Sequence, residues 1–146
     1  MDAVDHAIIE ELRRDGRLTN QDLAARVGLT PAPCLRRVRR LEADGVIVGY
    51  TALVDPAALG AGFEVIIHAD LLASGWDSVE AFEQRVAAMA EVVELHRMFG
   101  SPDYLLRVRV ADVEAYERWL TTQLLNDPAV ARVDSRLTMK VIKAQR

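Results

Sequence analysis

Thr30-Pro31-Ala32-Pro33-Cys34-Leu35-Arg36-Arg37-Val38-Arg39-Arg40-Leu41-Glu42-Ala43-Asp44-Gly45 has the ends and faces of a short helix. Thr30 suits an N-cap, Pro31 fits the first turn with no backbone donor wasted, and Gly45 suits the residue past the last turn. Pro33 is tolerated because the first helical N–H groups lack intrahelical partners anyway. The spacing assigns Leu35, Val38 and Leu41 to one buried stripe. At about 100° per residue, Ala32, Pro33, Arg36 and Arg40 lie near the opposite face, with Arg37 and Arg39 on its flanks. A short helix anchored on one side and carrying guanidinium groups on the other suits the DNA major groove.

The residues upstream complete that unit. Val4, Ile8 and Leu12, with Ile9 beside them, mark an amphipathic helix from about Asp2 to Gly16. Thr19-Asn20-Gln21-Asp22 resembles a capping box with Asp in the acidic position, and opens a short helix through Leu23, Ala24 and Val27. Gly28-Leu29 then turns the chain into Thr30. Two short helices joined by a Gly-containing turn form a helix-turn-helix, with the second helix as reader. A three-helix bundle with a solvated Arg face is the plainer alternative. Caps, turn and basic face agree in order and spacing, which favours DNA binding. The candidate contact residues are Asn20, Gln21, Thr30, Ala32, Pro33, Arg36, Arg37 and Arg40.

Asp5-His6-Ala7-Ile8-Ile9, Leu23-Ala24, Val27-Gly28-Leu29, Pro33 to Glu42, Gly45-Val46-Ile47-Val48-Gly49-Tyr50 and Gly100-Ser101-Pro102-Asp103-Tyr104-Leu105-Leu106 stand in that order. Together they resemble the Lrp/AsnC (feast/famine) transcriptional regulators, and the resemblance spans essentially the whole chain. It implies a DNA-binding regulator whose second domains pair sheet to sheet into dimers, which assemble further into tetramers or octamers.

Composition sets outer bounds. The 146 residues allow one domain or two small ones, and 51% hydrophobic content suffices for packed cores. No apolar run is long enough to cross a bilayer, and the acidic N-terminus does not read as a signal peptide. A lone Cys34 forms no internal disulfide and suits a reducing compartment, so the expected location is the cytoplasm. Arg in place of Lys, with Lys140 and Lys143 the only lysines, fits a GC-rich bacterial genome. The net charge of −4 speaks against nucleic acid only at first sight. Phosphate contacts are local and screened within about 10 Å at 0.1 M salt, and Arg36 to Arg40 gather four positive charges on a turn and a half.

A boundary falls at Asp55-Pro56-Ala57-Ala58-Leu59-Gly60-Ala61-Gly62. The reading is residues 1–50 as helix-turn-helix domain, 51–62 as linker strand and turn, and 63–146 as a second domain. Val46 to Val54 reads as extended chain leaving the first. Beyond the boundary come a strand at Phe63 to Leu72 and a helix from Asp77 to Ala90 with Val79, Phe82, Val86 and Met89 inward. Strands at Val92 to Phe99 and Asp103 to Val110 follow. Asp112 caps a helix carrying Val113, Tyr116, Leu120 and Leu124 on one face, Pro128 breaks it, and a last strand runs from about Val130 to Ile142. The order is βαββαβ, so the expected class is α+β: a helix-turn-helix domain, winged-helix-like, followed by a ferredoxin-like sandwich. Two helices cover one sheet face. On the other, Ile66, His68 and Asp70 stand beside Leu105, Arg107 and Arg109, a mixture that points to a partner sheet.

Gly100 to Asp103 joins two strands. Gly lets the backbone approach a ligand and offers amides to a carboxylate, and Asp103 can accept from an ammonium, so the pair suits the ends of an amino acid. A plain hairpin turn uses the same residue types. The resemblance implies that effectors bind at this loop, between subunits. The expected small-molecule site is Gly100, Ser101 and Asp103, with Met98, Phe99 and Tyr104 shaping a side-chain pocket. Many relatives carry an acid and an aromatic where this chain has Ser101 and Pro102.

Neither catalytic residues nor cofactor emerge. His6, His68 and His96 have no paired spacing, one Cys gives no zinc ligand set, and no phosphate loop or nucleophile motif occurs. The expected partners are double-stranded DNA, further copies of the chain and an amino-acid-like effector, with no membrane and no metal. Two other readings stand beside this one. Sirohaem decarboxylases resemble this family in both domains, and His96, Arg97 and Arg107 keep a tetrapyrrole enzyme open, although an Arg-dense reading helix has no use there. The third is an effector-blind architectural protein that wraps DNA.

Overall fold

Reciprocal hydrogen bonds open the first helix: the Asp2 carboxylate accepts from the Asp5 N–H at 2.9 Å, and the Asp5 carboxylate accepts from the Asp2 N–H at 3.0 Å. This box caps α1 (Ala3–Arg14) in the computed structural model, which describes residues 1–72 and 75–142. Thr19 caps α2 (Asn20–Arg26), its hydroxyl accepting from the Asp22 N–H at 3.1 Å. The Asp22 carboxylate returns to the Thr19 hydroxyl at 2.6 Å, so the reciprocal bond to the backbone is absent.

Gly28, at a left-handed φ of 70°, turns the chain into α3 (Pro31–Ala43). Thr30 is the N-cap, yet its hydroxyl makes no capping bond. The reason lies three residues on: Pro33 occupies the position whose N–H a cap side chain normally receives. The face that α3 buries also differs from the expected one. Cys34 and Leu41 are fully buried with Val38 packed against the same cluster, whereas Leu35 is 37% exposed. Cys34, Val38 and Leu41 lie within about 60° of one another on the helix. Arg37 and Arg40, drawn to Asp5 of α1, fix that rotation and turn Leu35 outward. Ile8, Leu23 and Ala24 complete the core of this unit, which spans Met1–Leu53. Residues 46–54 join no ladder; Val46 and Ile47 donate to the Leu41 carbonyl and the Tyr50 hydroxyl donates to Glu42 at 3.0 Å.

The second unit begins at Val54. It contains β1 (Phe63–Leu71), α4 (Trp76–Ala87), β2 (Val92–Arg97), β3 (Tyr104–Val110), α5 (Val113–Trp119, continued by a π-type turn over Leu120–Leu124) and β4 (Val130–Leu137). The strands form one antiparallel sheet in the order β2-β3-β1-β4. Period-two alternation decides the faces. Val65, Ile67 and Ala69 of β1 and Leu106 and Val108 of β3 are fully buried and share a core with Phe82, Val86, Tyr116 and Leu124 from the helices. Their neighbours Ile66, His68, Leu105 and Arg107 lie on the opposite face, half-buried and paired across the sheet as Ile66 with Arg107 and His68 with Leu105.

Several ends are shorter than expected. β2 stops at Arg97, because the Met98 N–H closes the ladder on the Asp103 carbonyl at 2.7 Å and the chain then turns. α4 stops at Ala87 and β4 at Leu137. Val113, at the first position of α5, is half exposed, and Trp119 joins Tyr116 as a buried residue of that helix. The end of the expected second domain, residues 143–146, lies outside the described residues. Among the described residues, no helix is long and apolar enough to cross a membrane.

Candidate nucleic-acid interface and effector loop

Asp5 organises the reading helix. Its carboxylate, 1% exposed, accepts from Arg37 Nη1 at 2.8 Å and Arg40 Nη2 at 2.6 Å in addition to the Asp2 N–H. Arg37 Nη1 also reaches Asp2 at 2.7 Å. The backbone bond with Asp2, then the bond from Arg37, holds the Asp5 carboxyl down at about 2, and the Asp2 carboxylate, then that of Asp5, raises Arg37. The two guanidinium groups are therefore tied to α1, whereas the sequence pattern places Arg40 on the free face. Among the described residues, Arg36 and Arg39 make no ion pair and no hydrogen bond through their side chains.

With Cys34, Val38 and Leu41 inward, the exposed stripe of α3 is Ala32, Leu35, Arg36 and Arg39, spaced i, i+3, i+4, i+7. Thr30 and Gln21 are exposed as well, and Pro33 is half-buried. Asn20 serves the frame of the motif. Its Nδ2 donates to the Pro31 carbonyl at 2.7 Å, tying the start of α2 to the start of α3, and its Oδ1 is buried without a partner. Leu35 and Arg39 were missed as face residues. Their spacing from Ala32 carried the signal, but the choice between Cys34 and Leu35 as the inward residue depends on the clasp to Asp5. Burial raises the Cys34 thiol above its ordinary range, as suits a core side chain.

In the second unit, the loop between β2 and β3 brings some expected residues together and separates others. Gly100 adopts φ 112°, a conformation that a Cβ disfavours. Phe99 is fully exposed, and Met98 is half exposed. Asp103 is pinned: its Oδ2 accepts from the Leu71 N–H at 2.8 Å, and its own N–H donates to Asp70 at 3.2 Å. Its Oδ1 has no partner among the described residues. Tyr104 is buried beneath the loop, 2% exposed, its hydroxyl donating to Glu83 at 2.5 Å and accepting from Arg97 Nε at 3.3 Å. Burial and then the Glu83 carboxylate raise the Tyr104 phenol. Beside the loop lies an open cavity of about 420 Å³, lined by Leu71, Leu72, Trp76, Val79, Arg97, Met98, Asp103 and Tyr104. The Arg97 guanidinium stacks over Trp76 at 4.6 Å. Trp76 and Arg97 were not among the expected loop residues, since the helix and strand that carry them meet only in three dimensions.

A helix-turn-helix with an unpaired basic stripe, on one chain with a ferredoxin-like sandwich and a small-molecule-sized cavity, defines a ligand-responsive class of DNA-binding regulator. Residues 1–48 match the family model described as winged helix-turn-helix DNA-binding, and residues 64–146 match the Lrp/AsnC ligand binding domain. The Leucine-responsive regulatory protein of Haemophilus influenzae is 43% identical over 98% of this chain and 86% of its own length. Its counterpart in Escherichia coli (strain K12) is 42% identical over 98% and 87%. Among solved structures, a transcriptional regulator of Neisseria meningitidis in complex with L-Met superposes with a TM-score of 0.95 at 33% identity, covering 99% of this chain and 94% of that one. An AsnC family transcriptional regulator from Agrobacterium tumefaciens gives 0.94 at 35% identity, covering 99% and 94%. The chain belongs to the Lrp/AsnC family of transcriptional regulators.

Proposed function

We propose that this regulator senses an amino acid, or a close metabolite of one, at the loop Met98 to Tyr104 and couples its binding to the way the subunits assemble on DNA. The carrying observation is Asp103, held rigidly by Leu71 and Asp70 with one carboxylate oxygen left over for an ammonium. The Neisseria relative with L-Met bound supports the amino-acid class. Gly100, Ser101 and Asp103 hold the polar ends of the ligand, and Met98 and Phe99 close on its side chain from the rim. Tyr104 acts from below by fixing Arg97. Phe99, fully exposed in one chain, gains apolar cover where a second subunit meets the loop.

Residues 1–50 serve as reader, 51–62 as linker and 63–146 as the assembling domain, pairing through the sheet face of Ile66, His68, Leu105 and Arg107. Gln21, Thr30, Ala32, Arg36 and Arg39 meet DNA, while Asn20, Pro33, Arg37 and Arg40 hold the frame. Such a regulator works in the cytoplasm, with DNA, its own copies and the effector as partners, and carries neither cofactor nor catalytic group. A ligand shifts an assembly only by its differential affinity for two states, about 1–3 kcal/mol of coupling in typical cases. Isothermal titration with each of the twenty amino acids tests the reading: saturable heat with at least one, absent in Asp103→Ala, is the expected result.

A further inference from the structure

We infer that α3 reads thymine through its C5-methyl group, with Leu35 and Ala32 as the contact surface. The inference rests on the reading of α3 as the major-groove helix and adds the chemistry of the base it selects. Recognition helices meet base edges with their N-terminal residues. Here that half of the exposed stripe is apolar, Ala32 followed by Leu35, and the positive charge begins only at Arg36 and Arg39.

The first turn reinforces this division. A helix N-terminus ordinarily offers N–H groups to a phosphate. Pro31 and Pro33 remove two of those donors, so the turn presents carbon rather than a phosphate cradle. Leu35 is 37% exposed although Cys34 beside it is fully buried, so its side chain is available without any rearrangement of the core. A protein partner on this stripe would strip water from two unpaired guanidinium groups. A DNA groove instead supplies phosphates for Arg36 and Arg39 and, between them, the thymine methyl as the apolar feature of the major groove.

Duplexes enriched by the full-length protein from a randomised pool provide the probe, with deoxyuridine replacing thymidine one position at a time. Losing one buried methyl weakens wild-type binding about fourfold at the contacted thymine. Leu35→Ala binds the thymidine and deoxyuridine duplexes alike at that position. Arg36→Ala weakens both duplexes and keeps their ratio, which separates methyl reading from charge. Indifference of the wild type to deoxyuridine at every position overturns the inference, as does an undiminished penalty in Leu35→Ala. Failure to enrich any duplex overturns the DNA-reading assignment of α3 and this inference with it.

Discussion

Asp5 shows how one side chain can set what a neighbouring helix presents. A buried carboxylate is tolerable only when paired and hydrogen-bonded, and here two arginines and a backbone N–H meet it. Its folded value near 2 lies below the unfolded 3.8, so its ionised form stabilises the fold fully above 3.8 and that contribution fades as pH falls through about 2. Asp5→Asn therefore lowers the thermal midpoint at pH 7, and the gap to wild type closes as the pH is brought toward 2; a gap independent of pH counts against the clasp. The arginines then divide by role. Arg36→Ala or Arg39→Ala weakens operator binding with the fold intact, by roughly 1–3 kcal/mol if a base edge is lost, or uniformly with a salt slope reduced by about 1 if a phosphate is lost. Arg40→Ala chiefly lowers thermal stability. Anisotropy titrations at two salt concentrations distinguish these outcomes. The spacing of residues 30–45 showed a basic helix plainly, but a periodicity cannot tell which of four arginines a carboxylate on another helix will claim.

At the scale of elements, Arg85 of α4 clamps the turn before β4. Its guanidinium donates from Nε and Nη2 to Asp127 at 2.7 and 2.9 Å, and the Ala129 N–H adds a third bond at 2.9 Å. Burial opposes ionisation of Asp127, and these donors more than offset it, leaving the carboxyl below its usual range. Arg85→Ala leaves a buried carboxylate short of partners and costs about 2 kcal/mol in chemical denaturation; a change below measurement would mean that the clamp is ornamental. The element order was legible because its signals are local: Asp112 caps α5 through the Ala115 N–H at 2.7 Å, and β1 and β3 alternate cleanly. Element ends and the cavity beside the loop were not. β2 ends where Met98 meets Asp103 across the turn, and Trp76, Arg97 and Asp103 come together from three separate segments.

For the whole molecule, a net charge of −4 is compatible with DNA binding because Arg36 and Arg39 stand together, without ion pairs among the described residues, on the exposed face of α3, while Asp2 and Asp5 are consumed by Arg37 and Arg40. Two free basic groups on the reading helix predict weak binding by a single reader, and linking readers raises avidity without new contacts. Residues 63–146 alone are accordingly expected to self-associate through the outer sheet face. Residues 1–50 alone are expected to stay monomeric and bind DNA poorly. Sedimentation of the two fragments decides this, and a monomeric 63–146 fragment contradicts assembly through the sheet.

Coupling between a bound amino acid and assembly is tested most directly by sedimentation velocity on the full-length protein, wild type and Asp103→Ala, across the twenty amino acids beginning with L-Met and L-Leu. At least one amino acid is expected to shift the distribution of wild-type assemblies, and Asp103→Ala, with an unchanged ligand-free distribution, is expected to show no shift. A wild type indifferent to all twenty, or a variant that responds as the wild type does, rules out coupling through this loop.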